Sequence, residues 1–184
     1  MNRIILFLLL IIPAGMTAQQ RVVVAGDGSG DFKTIQEAIN SLPDSAALPR
    51  TIFIKKGSYQ EKLFIKKHKL ILEGEGREQT FITYNIARDE WRCDHPDDWG
   101  VATMNVQGND ITLKNLAVIN SFGFNFSGDY TVPCKADTTG KKTITIRSHQ
   151  MALRTMYCTR LKAVNCHFKA FGGDGKLSIT AYEY

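Results

Sequence analysis

Two segments of this chain share one pattern, and that pattern restricts the fold more than any other feature. Ile111–Asn120 reads ITLKNLAVIN and Leu161–Ala170 reads LKAVNCHFKA. Each puts apolar residues at its first, third and eighth positions, Asn at the fifth, and Leu or Cys at the sixth. Apolar alternation on either side of a fixed Asn describes short strands meeting at a corner. Such a unit cannot bury its apolar face alone, so it must stack on a copy of itself. Asn115 and Asn165 stand fifty residues apart, which reads as two turns of a solenoid with a repeat of about 20–30 residues. The predicted fold is all-β, a right-handed parallel β-helix whose corner asparagines tie successive turns together.

The rest of the chain fits this expectation. Short apolar runs at Arg21–Ala25, Thr51–Ile54, Leu63–Ile65, Leu70–Leu72, Phe81–Tyr84, Ala102–Val106, Thr143–Ile146 and Met151–Arg154 read as strands. Ile111–Ile119 and Leu161–Phe168 read as longer ones, and Gly57, Gly74, Gly76, Gly108, Asn109, Gly123 and Gly128 punctuate the series. Only Thr34–Leu42 has a strong helical period. Thr34 and Glu37 form a capping-box pattern, Ile35, Ala38, Ile39 and Leu42 share one face, and Pro43 stops the helix. This helix is predicted to cap the N-terminal end of the stack, where core and unpaired backbone would otherwise be exposed. A β-sandwich is the competing architecture, but its hairpin turns and strict alternation are poorly represented.

Residues 1–18 are set apart from the fold. Arg3 is followed by the apolar run Ile4–Ile12, and Pro13–Ala18 ends in small residues. That is the build of a secretory signal peptide, with cleavage expected after Ala18. The run is short of the ~20 apolar residues that a membrane span needs. The folded domain is therefore expected over 19–184, secreted or periplasmic, a monomer, and off the membrane once the signal is removed. The formal charge of +5 becomes +4 without Arg3. A mildly basic exported domain suits a polyanion such as an acidic polysaccharide, although the same balance also serves solubility. The basic pairs Lys55-Lys56, Lys66-Lys67 and Lys141-Lys142 are scattered, with no arginine-rich run among aromatics, so no nucleic acid is expected as a partner.

Cys93, Cys134, Cys158 and Cys166 allow three full disulfide pairings, and buried free thiols are an equal alternative. No CxxC occurs, which argues against a zinc knuckle. The loop GDGSGD (26–31) carries Asp31 where a dinucleotide loop needs its third glycine, and Asp27 and Asp31 would repel a pyrophosphate. No Gly-Lys-Ser/Thr occurs either, so no nucleotide is expected to bind. Asp89–Trp99 (DEWRCDHPDDW) gathers Asp89, Glu90, Asp94, His95, Asp97 and Asp98, but their spacing matches no metal pattern. It reads as a solvated loop with no metal site. Trp91 and Trp99 within it, and Tyr157 further on, are candidates for stacking on sugar rings, with the core as the plainer place for the tryptophans. Asn125-Phe126-Ser127 is an N-glycosylation sequon.

Together these segments resemble the pectinesterases. Val22–Pro43 (VVVAGDGSGDFKTIQEAINSLP) is similar to that family's opening signature, VA-DGSGDF-T-Q-AI. GSYQEKLFIKK and LEGEGREQTFIT, within Ile54–Thr83, match its next block. Gly100–Ser121 (GVATMNVQGNDITLKNLAVINS) matches the segment written SATF-V-G-F-A-NIT-N, and His149–Asp174 matches QAVALR through NC-F-G-QDT. The resemblance implies a parallel β-helix esterase that works without a cofactor on methyl-esterified pectin (homogalacturonan), giving methanol and free carboxylates. Gln150 matches the glutamine of QAVAL, so the resemblance assigns it to the oxyanion. Asp174 matches the aspartate of QDT and would act as general acid and then base.

The sequence departs from the family at three places. Gly173 stands for a second oxyanion glutamine, Gly175 for a threonine, and Lys176–Tyr184 has no family counterpart. The nucleophilic aspartate and the arginine that positions it would lie past the end. The C-terminal coils are therefore expected to be missing and the chain to have little esterase activity. A non-catalytic polysaccharide-binding β-helix is the alternative, and it would keep Trp91, Trp99 and Tyr157 for sugar contact.

Overall fold

The computed structural model describes residues 21–171. The chain opens with β1 (Arg21–Val24) and enters α1 (Ile35–Ser41). It then forms β2 (Arg50–Ile54), β3 (Gly57–Gln60), β4 (Leu63–Ile65), β5 (Leu70–Gly74) and β6 (Thr80–Tyr84). After α2 (Arg88–Asp94) come β7 (Ala102–Val106), β8 (Ile111–Lys114) and β9 (Ala117–Asn120). The hairpin strands β10 (Tyr130–Pro133) and β11 (Lys141–Ile144) precede β12 (Met151–Thr155), β13 (Leu161–Val164) and β14 (His167–Lys169).

Three parallel sheets result, in the orders β1-β2-β5-β8-β13, β3-β6-β9-β14 and β4-β7-β12. From β2 to β14, apart from the antiparallel β10–β11 pair, the chain visits these sheets in strict rotation. Alternate side chains point to a common interior. Ile52, Ile54, Leu70, Leu72, Ile111 and Leu113 come from the first sheet, Ile82 and Val118 from the second, and Leu63, Ile65, Met104 and Val106 from the third. All are fully buried. Each is worth about 1.5–3 kcal/mol against exposure, so this interior supplies most of the driving force.

Helix α1 covers one end, as its apolar face predicts, with Ile35, Ala38, Ile39 and Leu42 in the common core. Thr34 Oγ1 accepts from the Glu37 N–H. The remaining free amides are capped by the stack itself, because the Glu61 carboxylate accepts from Ile35 N and Gln36 N at 2.9 Å each. Gln36 also covers the open edge of β4. Its Oε1 accepts from Phe64 N at 2.8 Å and its Nε2 donates to Phe64 O at 3.3 Å.

The corner asparagines stack directly. Asn165 Nδ2 donates to Asn115 Oδ1 at 2.8 Å, and both residues are left-handed, with φ of 51° and 54°. Leu161 pairs with Ile111, so the fifty-residue interval is one turn and not two. The turn is long because the chain leaves the sheets after Asn120 to build β10–β11. Further differences follow from tertiary contacts. Asp89–Trp99 is largely α2 instead of a loop, and β11 begins before the predicted Thr143 and pairs with β10 outside the stack. Ile111–Ile119 and Leu161–Phe168 each break into two strands at their Asn. Cys93 is bonded to Cys134, while Cys158 and Cys166 are free thiols.

Replacing Asn115 by Ala removes the amide ladder and leaves a Cβ in the left-handed region. We expect Asn115→Ala to lower stability by about 1–2 kcal/mol in urea unfolding. Asn115→Gly should recover the backbone part of that loss. Equal stability of Asn115→Ala and wild type would show that the ladder holds nothing.

Candidate active site

Gln150 enters β12 and is buried, 8% exposed. Its Oε1 accepts from Gly123 N at 3.0 Å, and its Nε2 donates to Ile146 O at a long 3.4 Å. The second amide N–H of Gln150 has no partner among the described residues. Glycine is required at 123, since a Cβ there would lie 2.5 Å from the Phe171 ring and 2.9 Å from Gln150 Nε2. Phe171 packs edge-on against the half-exposed Phe124, ring centres 5.8 Å apart. The Ser121–Asn125 turn also borders a cavity of about 310 Å³ lined by Gln60, Thr83, Tyr84, Asn85, Ser121 and Asn125. That lining is all neutral amide and hydroxyl apart from ring faces.

Helix α2 and the β10–β11 hairpin make one lobe beside Gln150. The Cys93–Cys134 disulfide joins them, the Tyr130 hydroxyl donates to Glu90 at 2.7 Å, and Lys135 N donates to Cys93 O. Arg88 N donates to His149 O at 2.8 Å, which ties the start of α2 to the residue before Gln150. Asp98 gathers three guanidinium groups. Arg88 binds it through Nε and Nη2 at 3.1 Å each, Arg92 at 3.3 Å, and Arg154 of β12 at 3.9 Å. Burial pushes the Asp98 carboxyl upward, but the hydrogen bond and charge of Arg88, then Arg92 and Arg154, outweigh it and hold the group below its ordinary value.

Trp91 and Trp99 both lean on Phe64 of β4, with ring centres 6.3 and 5.6 Å away. Trp91 Nε1 donates to Asp97 O, and His95 stacks on one face of the ring at 3.5 Å. Lys62 lies 3.9 Å from the Trp91 ring centre, on its way to the Gly100 carbonyl. The structure thus brings Trp91 and Trp99 together and links their segment to Gln150 through Asp98 and Arg88. Tyr157 is elsewhere, 88% exposed at the β12–β13 corner with φ of 56°, and makes no ring contact with the other candidates. Asp174, Gly173 and the proposed signal segment lie outside the described residues. No group of three His, Cys, Asp or Glu side chains is placed to hold a metal ion among the described residues. Lys62, Gly123 and the Asp98 cluster carry no local sequence signal, since each acquires its role from a partner distant in the chain.

Residues 21–169 match the Pectinesterase family. The chain belongs to the pectinesterase family. It is 31% identical over 166 residues to the probable pectinesterase/pectinesterase inhibitor 23 of Arabidopsis thaliana, covering 84% of this chain and 28% of the relative. The carrot pectin methylesterase superposes with a TM-score of 0.59 at 25% identity, over 82% of this chain and 40% of the carrot chain. A pectin methylesterase solved in complex with a hexasaccharide gives the same TM-score, 0.59, at 27% identity, over 79% of this chain and 42% of the other. The pectinesterase-family chain described here thus spans less than half of these relatives' length. The solved relatives agree with its predominantly parallel sheets and N-terminal helix.

Asp98 makes the lobe acid-sensitive in a definite direction. Its carboxyl titrates below the ordinary 3.8 in the folded chain. The stabilisation is therefore complete above the unfolded value and is lost as pH falls through the folded one. Asp98→Asn should cost about 2 kcal/mol at neutral pH and flatten the loss of stability below about pH 4. Chemical denaturation at pH 7 and pH 3 checks both. An unchanged acid limb in Asp98→Asn would remove Asp98 from this role.

Proposed function

We propose that this chain is a right-handed parallel β-helix of the pectinesterase type, exported after cleavage near Ala18, and monomeric. Its surface beside Gln150 engages methyl-esterified homogalacturonan. The observation that carries this is the Gln150 amide. Its oxygen is committed to Gly123 N, and one N–H is left to face an incoming oxyanion. A preorganised donor of this kind favours charge that develops on an ester carbonyl oxygen. The neutral polar cavity next to it suits sugar hydroxyls, and the half-buried Trp91 and Trp99 indoles, Trp91 with both faces already covered by Lys62 and His95, line the same lobe. The relative solved with a hexasaccharide supports a saccharide as the ligand class.

The chemistry assigned by the family pattern is ester hydrolysis. Asp174 protonates the leaving methanol and then takes a proton from water, while a separate carboxylate attacks the carbonyl. Asp174 cannot fill both roles at once, and no other position matched to the family's motifs supplies the nucleophile. Taken by itself, the chain is therefore expected to bind methylated homogalacturonan and to turn it over weakly or not at all.

Two measurements on the purified chain test this. Methylated oligogalacturonide should bind, and Gln150→Ala should weaken that binding with near-ultraviolet circular dichroism unchanged. Methanol release from highly methylated pectin should not exceed the protein-free control. Release that disappears in Asp174→Asn would mean that another carboxylate of this chain is the nucleophile, and the role assignment would fall. Absence of binding would sink the pectin reading altogether.

A further inference from the structure

Lys62 sits immediately before β4, whose Leu63 and Ile65 point into the core. Its half-buried ammonium reaches away from the core and meets three groups, one at the end of β6 and two in the segment that follows it. It lies 3.9 Å from the Trp91 ring centre and 5.1 Å from that of Tyr84, and it donates to the Gly100 carbonyl. A cation over ring faces, with one carbonyl as hydrogen-bond acceptor, is a favourable arrangement once water is displaced. Gly100 is itself pressed onto the same indole. Its φ is 118°, and a Cβ there would lie 2.3 Å from Trp91. One side chain therefore holds both ends of the segment from Trp91 to Gly100. Trp99, next to Gly100, is fixed edge-on against Phe64 by the same contact set.

We infer that Lys62 is a positioning residue for the Trp91–Trp99 wall, clamping it to β4 while charged and loosening it when the ammonium gives up its proton. The inference rests on the reading above, in which these tryptophans contact pectin. The surrounding groups are few. Glu90 of α2 favours the charged form, but its carboxylate also accepts from Tyr130. Glu61, the neighbour in sequence, is committed to the amides of α1. Tyr84 of β6 offers its ring, His95 covers the far face of Trp91, and Lys66 lies 5.8 Å from the Trp99 ring centre. Burial outweighs Glu90 and brings the ammonium down to about 8. That places its proton loss within reach of mildly alkaline surroundings.

The test follows tryptophan emission of the full chain from pH 6.5 to 9, with Lys62, Lys62→Arg and Lys62→Met compared. All three carry His95→Gln, so the imidazole stacked on Trp91 does not contribute. The Lys62 protein should show one midpoint near 8, and neither variant should show it. Affinity for a fully methylated hexagalacturonide, whose units carry no charge, is then read at pH 6.5 and 9. It should fall about fivefold with Lys62 and stay level with Lys62→Arg, which keeps its charge throughout. Lys62→Met should bind at the weaker level at both pH values. No midpoint, or a midpoint that survives in Lys62→Met, overturns the inference. A midpoint that vanishes in both variants, with no affinity at any pH, leaves the clamp standing and overturns the pectin reading instead.

Discussion

From β5 onward, each lap of the chain inherits its register from the residue that turns it into the first sheet. Lys69, Asp110 and Arg160 hold that place before Leu70, Ile111 and Leu161, and all three are left-handed, with φ of 51°, 59° and 56°. An L-residue pays roughly 1–2 kcal/mol for this conformation. The cost is tolerated because slipping by one residue would turn every inward leucine and isoleucine outward. The three side chains also alternate in charge along the stack. Arg160 binds Asp110 through Nε and Nη2, and Lys69 adds its field to the same carboxylate. Glycine at these corners would relieve the backbone and forfeit that attraction.

Fixed corners explain how the chain carries long insertions without losing the stack. Arg50 pairs with Leu70, a lap of twenty residues, whereas Leu70 pairs with Ile111 and Ile111 with Leu161. The extra length of the later laps goes into α2 and into the β10–β11 hairpin. Both excursions leave and return at points already set by neighbouring strands, so loop closure is the main entropic cost, and it grows slowly with length. The two insertions then stabilise each other through the Cys93–Cys134 bond, the Tyr130–Glu90 hydrogen bond and the small apolar cluster of Ala87, Phe122 and Ile144. Beneath them β7 is buried on both faces. Asn105 there spends its amide on Leu63 O and Ala102 O, and so stays satisfied without water.

What the sequence reveals follows the range of the interactions. Strand positions such as Leu63–Ile65 and Ala102–Val106, the Thr34 cap and the Asn115–Asn165 corner are written locally, in alternation and in a residue type that tolerates left-handed backbone. The number of turns between those asparagines is not, because length alone cannot distinguish two bare laps from one lap with a hairpin. Helix α2 was equally hidden. Its short span has one buried side chain, Cys93, and its position depends on Trp91 meeting Lys62 and on Asp98 meeting Arg154 of β12. The disulfide pairing depends on the same lobe. Gln150 stood out only through resemblance, since an amide before an apolar strand has no signal of its own.

The orientation of that amide is where the lobe and the stack become one device. If the Gln150 amide were flipped, its NH₂ would face the Gly123 N–H, donor against donor, at the 3.0 Å separation now bridged by a hydrogen bond. The oxygen must therefore face Gly123, and the NH₂ must face Ile146 O. Gly123 can approach this closely only because it has no Cβ, and it sits on the turn that leads out to the hairpin. His149, one residue earlier, is held by Arg88, and Arg88 by Asp98. The inward packing of Ala152 fixes β12 from beneath, but the direction of the donor is set by these loop contacts. In the proposed reading, a donor held this way would need no reorganisation when charge develops in front of it, which is the condition under which a hydrogen bond assists ester chemistry. Parallel stacking supplies the rigid floor, and the inserted segments decide what that floor can do.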